Sequence, residues 1–185
     1  MTSATVTTSA HSAHAPRFTR TPPPPPRDPA APGHNWPDSW PLRSYLELAA
    51  LDTAPGSARA HAAALLWEWR LAAISDEAAL IVSELVTNAV FATRAARIPA
   101  PVRLWTLGTI GASALFLVWD ATAPPPVRRD TAPDAEHGRG LTLVDALSAT
   151  WGHYHPAEPP HGKCVWAALR AAPTTPRDLA SRFMP

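Results

Sequence analysis

Glu84 and Asn88 stand four residues apart in the segment SELVTNAV, residues 83–90. On an α-helix that spacing puts both side chains on one face, one turn apart. A carboxylate and a carboxamide among apolar neighbours can hold a hard cation and the water it orders. Magnesium takes oxygen ligands and keeps several waters while it bridges substrate phosphates, so one oxygen from Asn88 plus phosphate oxygens would suffice. Glu84 would then serve as a base or orient water. The alternative is a helix whose polar face simply meets solvent, and the pair alone favours that alternative.

Two further places carry chemistry. HGRGL, residues 137–141, opens a short apolar segment LTLVDAL. Glycines at a helix start let the backbone approach a ligand, and the free N–H groups there attract phosphate. Arg139, between Gly138 and Gly140, could add a charge-assisted contact. An ordinary loop–helix junction looks the same when taken alone. Asp120 ends an apolar run and precedes a Pro-rich stretch. A half-buried carboxylate there can accept a hydrogen bond from an exocyclic amine such as that of adenine, or it can merely cap a turn.

These residues need elements to position them. The first 42 residues are Ser/Thr/Ala-rich and then Pro-rich, with prolines at 22–26. Such a segment buries too little apolar surface to offset its ordering entropy, so residues 1–42 are expected to form a disordered, polyproline-containing tail. A folded domain is expected over 43–172 and a loose tail over 173–185. Within the domain, 44–52 reads as an edge strand and 56–71 as a helix opened by Pro55. Ser75 is a candidate N-cap for a long helix to about Ala96, with Asp76 and Glu77 in its first turn. Its buried side is Ile81, Val82, Leu85, Val86, Ala89 and Val90. Strands at 102–107 and 114–119 read as a hairpin. A loop at 121–137, too long for a plain connection, precedes a short helix at 140–147. Strands at 150–155 and 163–170 close the domain. Grouped helices and neighbouring strands predict an α+β, two-layer sandwich: a mixed, mostly antiparallel sheet with helices on one face.

Composition narrows the function. The 185 residues are 46% hydrophobic, enough for one core, and carry a formal charge of +1, which offers no nucleic-acid footprint. The eight tryptophans do not interleave with basic residues, and Trp67, Trp69 and Trp105 read as core or core-rim positions. The lone Cys164 allows no intrachain disulfide, and no signal peptide or bilayer-length apolar run is read, so a soluble cytoplasmic protein is the default. A zinc site from His153, His155, His161 and Cys164 is a rival reading, although its spacing matches no standard finger.

Taken in order, the motifs resemble the Bergerat-fold, or histidine kinase-like, ATPase superfamily. SELVTNAV resembles its N box, VWDATAPP stands at its first glycine box, HGRGLTLV resembles its second, and GKCVWAAL its closing strand. The resemblance covers residues 44–170. It is most specific to stand-alone actinobacterial proteins related to the anti-sigma-factor serine/threonine kinases. It implies ATP and magnesium as cofactors, with Asn88 the metal ligand and Glu84 the catalytic base. Asp120 would bind the adenine amine, Gly138, Arg139, Gly140 and Leu141 would line the phosphates, and 121–137 would be a mobile lid. Cys164 stands where the family has an adenine-supporting Thr, and the Asp120 motif lacks its following glycines. The implied partners are a sigma factor and a STAS-type anti-anti-sigma protein, with a possible homodimer. A partner-sequestering module with a weakened nucleotide site is the second reading. A sensor kinase is disfavoured, since no phosphoacceptor-His helix pair precedes the domain.

Overall fold

The computed structural model describes residues 24–25, 40–126 and 140–172. Strand β1 (Leu42–Leu48) leads into helix α1 (Ala54–Glu68). A 3₁₀ turn (Ala72–Ile74) runs directly into the long helix α2 (Ser75–Ala95). The hairpin β2 (Val102–Thr109) and β3 (Ser113–Asp120) follows. Further along the chain come helix α3 (Gly140–Leu147), β4 (Thr150–Tyr154) and β5 (Lys163–Arg170). The sheet order is β1-β2-β3-β5-β4, and every pairing among the described residues is antiparallel. The expected mixed sheet is therefore an all-antiparallel one. The excursion through α3 and β4 lets β5 enter between β3 and β4 running against both.

All three helices cover one face. Leu46, Leu104, Phe116, Val118, Ala167 and alternate neighbours on the strands pack with Ala58, Ala62 and Leu66 of α1 and Ile81, Val82, Leu85 and Val86 of α2. The strands alternate sides, so intervening residues form a second cluster on the opposite face: Trp105, Leu117, Trp119, Tyr154 and Cys164. Trp69 and Trp105 are buried as expected. Trp67 is instead 77% exposed, because the buried stripe of α1 runs 54, 58, 62, 66 and residue 67 falls a quarter-turn off it.

Both long helices end in a Schellman arrangement closed by arginine. In α1, Arg70 has φ +59°, its N–H donates to Trp67 O, and Leu71 N–H donates to Leu66 O at 2.7 Å. Arg97, with φ +53°, does the same after α2, with Ile98 N–H donating to Thr93 O. A left-handed residue stops a helix, which is why α1 ends at Glu68 and not at 71. Ser75 is not a cap: it has helical φ and ψ, the cap position falls on Ile74, and no side chain caps the end. The 3₁₀ turn feeds the helix directly, leaving no extended residue for a serine to cap from. The expected strand at 44–52 starts two residues earlier and ends at Leu48, where the chain turns toward α1.

The segment Ala72–Ala95 is long and apolar enough to cross a membrane by length and composition. Its apolar stripe is already buried against α1 and the sheet, as in the core helix of a globular domain. The tails expected at 1–42 and 173–185 fall almost wholly outside the described residues, and the ordered strand begins at Leu42.

His61 on α1 shares a 2.9 Å hydrogen bond with Ser44 Oγ on β1, and burial holds its imidazole below the usual 6.5. A depressed folded-state value means the unfolded chain takes up the proton first. Stability should be fully present above pH 6.5 and fall as pH drops through the folded value. Urea midpoints measured downward from pH 7 should show this loss, and His61→Gln should flatten it.

Candidate functional site

A cavity of about 1120 Å³ opens between α2, the start of α3 and the ends of β3 and β5. It brings together most of the sequence-predicted site residues. Glu84 and Asn88 enter from α2, Asp120 from the last position of β3, and Gly140 and Leu141 from the first turn of α3. Glu84 is half-buried and Asn88 exposed, so the carboxamide is the wetter of the two. The stretch Pro124–Pro126 lines one wall and Phe91, 63% exposed, stands at the mouth. Gly138, Arg139 and most of the expected lid lie outside the described residues.

Gly140 marks where the start of α3 comes up against α2. A Cβ placed there would meet a carboxylate oxygen of Glu84 at 2.3 Å and Asn88 Nδ2 at 3.4 Å. A larger residue there would push the Glu84 carboxylate out of its present position beside the start of α3. The glycine read as a phosphate contact therefore also leaves room for the Glu84 carboxylate beside it.

Asp120 has partners that the sequence reading lacked. It is 1% exposed and faces Lys163, its register partner on β5, which is 5% exposed. Lys163 Nζ donates to Oδ1 at 2.9 Å, to Oδ2 at 2.7 Å and to Thr122 Oγ1 at 2.8 Å. Thr122 donates to Oδ1 through its N–H at 2.9 Å and through its hydroxyl at 2.5 Å. The ammonium thus uses all three donors. Oδ1 accepts three hydrogen bonds, whereas Oδ2 accepts only that from Lys163 among the described residues. A carboxylate oxygen offers two lone pairs, so Oδ2 keeps one for an incoming amine. An adenine amine therefore fits, on an oxygen oriented by its neighbours. Burying this charge is tolerable only because it is paired and hydrogen-bonded.

Cys164 is not part of this cavity. Strand alternation sends Lys163 and Val165 toward the helices and Cys164 to the opposite face, where it is fully buried beside Trp119 and Tyr154. The side chain that meets Asp120 at the closing strand is Lys163. Alternation in KCVWAALR was the signal that could have found it: Val165, Ala167 and Leu169 share the helix-facing side with Lys163. The zinc reading fails on the same geometry. Tyr154 pairs with Cys164 and His153 with Val165, so His153 and Cys164 point to opposite faces. His155 meets Ala123 O at 2.7 Å, and no group of metal-ligating side chains occurs among the described residues.

The helix-borne Glu84–Asn88 pair, the buried aspartate at the end of β3 and the glycine opening α3 line one cavity against an antiparallel sheet. Residues 47–169 match the family described as the histidine kinase-like ATPase domain. The chain belongs to that family. Its members bind ATP, commonly with Mg²⁺, and the groups lining the cavity suit both: hard oxygens at Glu84 and Asn88, and at Asp120 Oδ2 an acceptor with one lone pair unused among the described residues. No curated protein sequence matches the chain. Lys163 contacts Asp120 at this end of the cavity, and Ala121, Thr122 and Ala123 follow Asp120 where the resemblance leads one to expect glycines.

Proposed function

We propose that the chain is an ATP-dependent serine/threonine protein kinase of the anti-sigma-factor type. On this reading it transfers the γ-phosphoryl group to a serine of a STAS-type antagonist and holds a sigma factor inactive in the cytoplasm. One observation carries it: Glu84 lies one turn from Asn88, on the cavity wall facing the glycine that opens α3. ATP would supply the phosphoryl group, and Mg²⁺ would neutralise its charge. Asn88 would hold the ion through its carboxamide oxygen. Asp120 Oδ2 would accept from the adenine amine, and the backbone of 138–141 would approach the phosphates. Glu84 would take the proton from the attacking hydroxyl. A homodimer is proposed on the resemblance alone.

A second reading is supported by a different observation. The three hydrogen bonds at Asp120 Oδ1 and the bulkier residues after it leave less room for a base, as in a module that only sequesters its partner. Calorimetry of the purified chain with ATP and Mg²⁺ tests the nucleotide step common to both readings. We expect 1:1 binding that weakens roughly tenfold to a hundredfold in Asp120→Ala, the cost of about 1–3 kcal/mol for losing a buried acceptor. Absence of binding at millimolar ATP would remove the nucleotide step and, with it, the kinase reading.

A further inference from the structure

Lysine occurs once in this chain, at position 163, against fifteen arginines. That one ammonium is buried, 5% exposed, and lines the cavity beside Asp120. An arginine would present a rigid planar fork suited to gripping both carboxylate oxygens at once. A lysine presents a compact charge whose three donors can serve three separate partners. The difference matters here.

The hydrogen bonds around Asp120 are unevenly shared. Oδ1 accepts from Thr122 N–H at 2.9 Å, from the Thr122 hydroxyl at 2.5 Å and from Lys163 Nζ at 2.9 Å. A carboxylate oxygen has two lone pairs, so one of these three donors is surplus. Oδ2 accepts only from Lys163 among the described residues, at 2.7 Å, and has one lone pair to spare. Both Thr122 donors are held at Oδ1 by the local turn, two residues along the chain. The surplus donor is therefore an N–H of Lys163, whose other two donors serve Oδ2 and, at 2.8 Å, Thr122 Oγ1.

We propose that Lys163 is a base-specificity residue: it turns its third donor from Asp120 Oδ1 to N1 of adenine, while Oδ2 accepts from the neighbouring 6-amino group. The inference rests on the nucleotide reading of the cavity and adds a second point of recognition to it. Nζ and Oδ2 lie side by side, 2.7 Å apart. Adenine presents a matching acceptor and donor on adjoining positions, N1 and the amine on C6. With adenine bound every group is matched. Oδ1 keeps the two Thr122 donors, Oδ2 takes its second, and the ammonium serves Oδ2, Thr122 Oγ1 and N1.

The surrounding residues suit a flat base presented edge-on. Lys163 and Asp120 are register partners on β5 and β3, and Val165 and Val118 pair two residues along on the same face. Both valines line the cavity with Leu85 and Ala89 of α2, so the ring faces meet apolar walls while one edge meets the ion pair. A few placed polar groups in an apolar pocket fix the orientation of a ligand. Asp120 alone would read only the amine, whereas the pair reads the amine and N1 together. Guanine carries an oxygen on C6 and a hydrogen on N1. In the same pose it would set oxygen against Oδ2 and N–H against the ammonium.

Two measurements on the unaltered chain test this, so neither depends on a variant that folds poorly. Calorimetry with Mg²⁺ compares ATP with 1-deaza-ATP, in which C–H replaces N1 and the amine is kept. We expect the analogue to bind about tenfold to a hundredfold more weakly, the usual loss for a hydrogen bond to a charged group. Equal affinities would overturn the proposal and leave the nucleotide reading intact, whereas no binding of ATP itself would overturn both. The second measurement asks which group reaches N1. Growth with ¹³C-lysine labels a single residue, because Lys163 is the only lysine. In the ATP complex we expect a nuclear Overhauser contact between adenine H2, the proton beside N1, and the Lys163 Hε protons. Weaker binding of the analogue without that contact would assign N1 to another donor and overturn the role of Lys163.

Discussion

Lys163→Met should cost the fold about 3–5 kcal/mol, because it leaves the Asp120 carboxylate buried without its cation. The side chains are 6% and 1% exposed, so water cannot take over the role of the ammonium. Thr122 remains as a donor, but two neutral donors on Oδ1 do not neutralise a charge. A domain of this size holds about 5–15 kcal/mol in all, so a large share of the stability rests on this pair. At roughly 4 °C per kcal/mol, the melting temperature should fall by about 12–20 °C. The double variant Asp120→Leu/Lys163→Met should recover most of that loss, since an apolar pair of similar volume is often as stable as a buried ion pair. It should still bind ATP no better than Asp120→Ala. Stability and recognition would then separate: the ion pair carries a stability requirement, while on the proposed reading the second lone pair of Oδ2 would take the adenine amine. A melting point of Lys163→Met within 3 °C of wild type would mean that Asp120 does not depend on Lys163 for its charge.

The same strand shows where sequence reasoning succeeds and where it stops. The long helix was legible because Ile81, Val82, Leu85, Val86, Ala89 and Val90 repeat at helical spacing, and all are buried. Once that face is known, Glu84 and Asn88 must share a side near it, and they do. Asp120 was placed correctly at a strand end, but its partner is forty-three residues away and is fixed only by the β3–β5 register. Local pattern cannot supply a register between strands that are not joined by a hairpin. Cys164 was misplaced because likeness to a motif was weighed above strand alternation, and alternation decides which side chain enters the cavity. The end of α1 was misread by three residues for a different reason, whereas the long helix ends at Ala95, within one residue of the expected Ala96. Arg70 and Arg97 adopt the left-handed conformation that sequence rules assign to glycine or asparagine. The role of Gly140 was half legible: a glycine at a helix start suggests an approaching ligand, but its contact with Glu84 exists only once α3 is docked on α2.

Glu84→Gln is expected to have the largest effect on activity and almost none on binding. On the proposed reading, Glu84 takes a proton from the attacking serine hydroxyl, and general-base catalysis contributes a factor of about 10²–10⁴. Glutamine keeps the size and polarity that fit beside Gly140, so the cavity should keep its shape while losing the group that accepts the proton. Transfer of labelled γ-phosphate to a STAS-type antagonist should fall by two to four orders of magnitude, about 3–5 kcal/mol of transition-state stabilisation. ATP affinity by calorimetry should stay close to wild type. Asn88→Ala, one turn further along α2, should behave differently. It removes a metal ligand and not a base, so Mg²⁺-dependent ATP affinity should fall together with transfer. The contrast is the informative result, because a general loosening of α2 would weaken binding in both variants alike. Phosphate transfer by Glu84→Gln at the wild-type rate would show that Glu84 is not the base. ATP binding by wild type without transfer to any antagonist offered would favour the sequestering module, in which the same cavity holds nucleotide and the partner surface lies elsewhere.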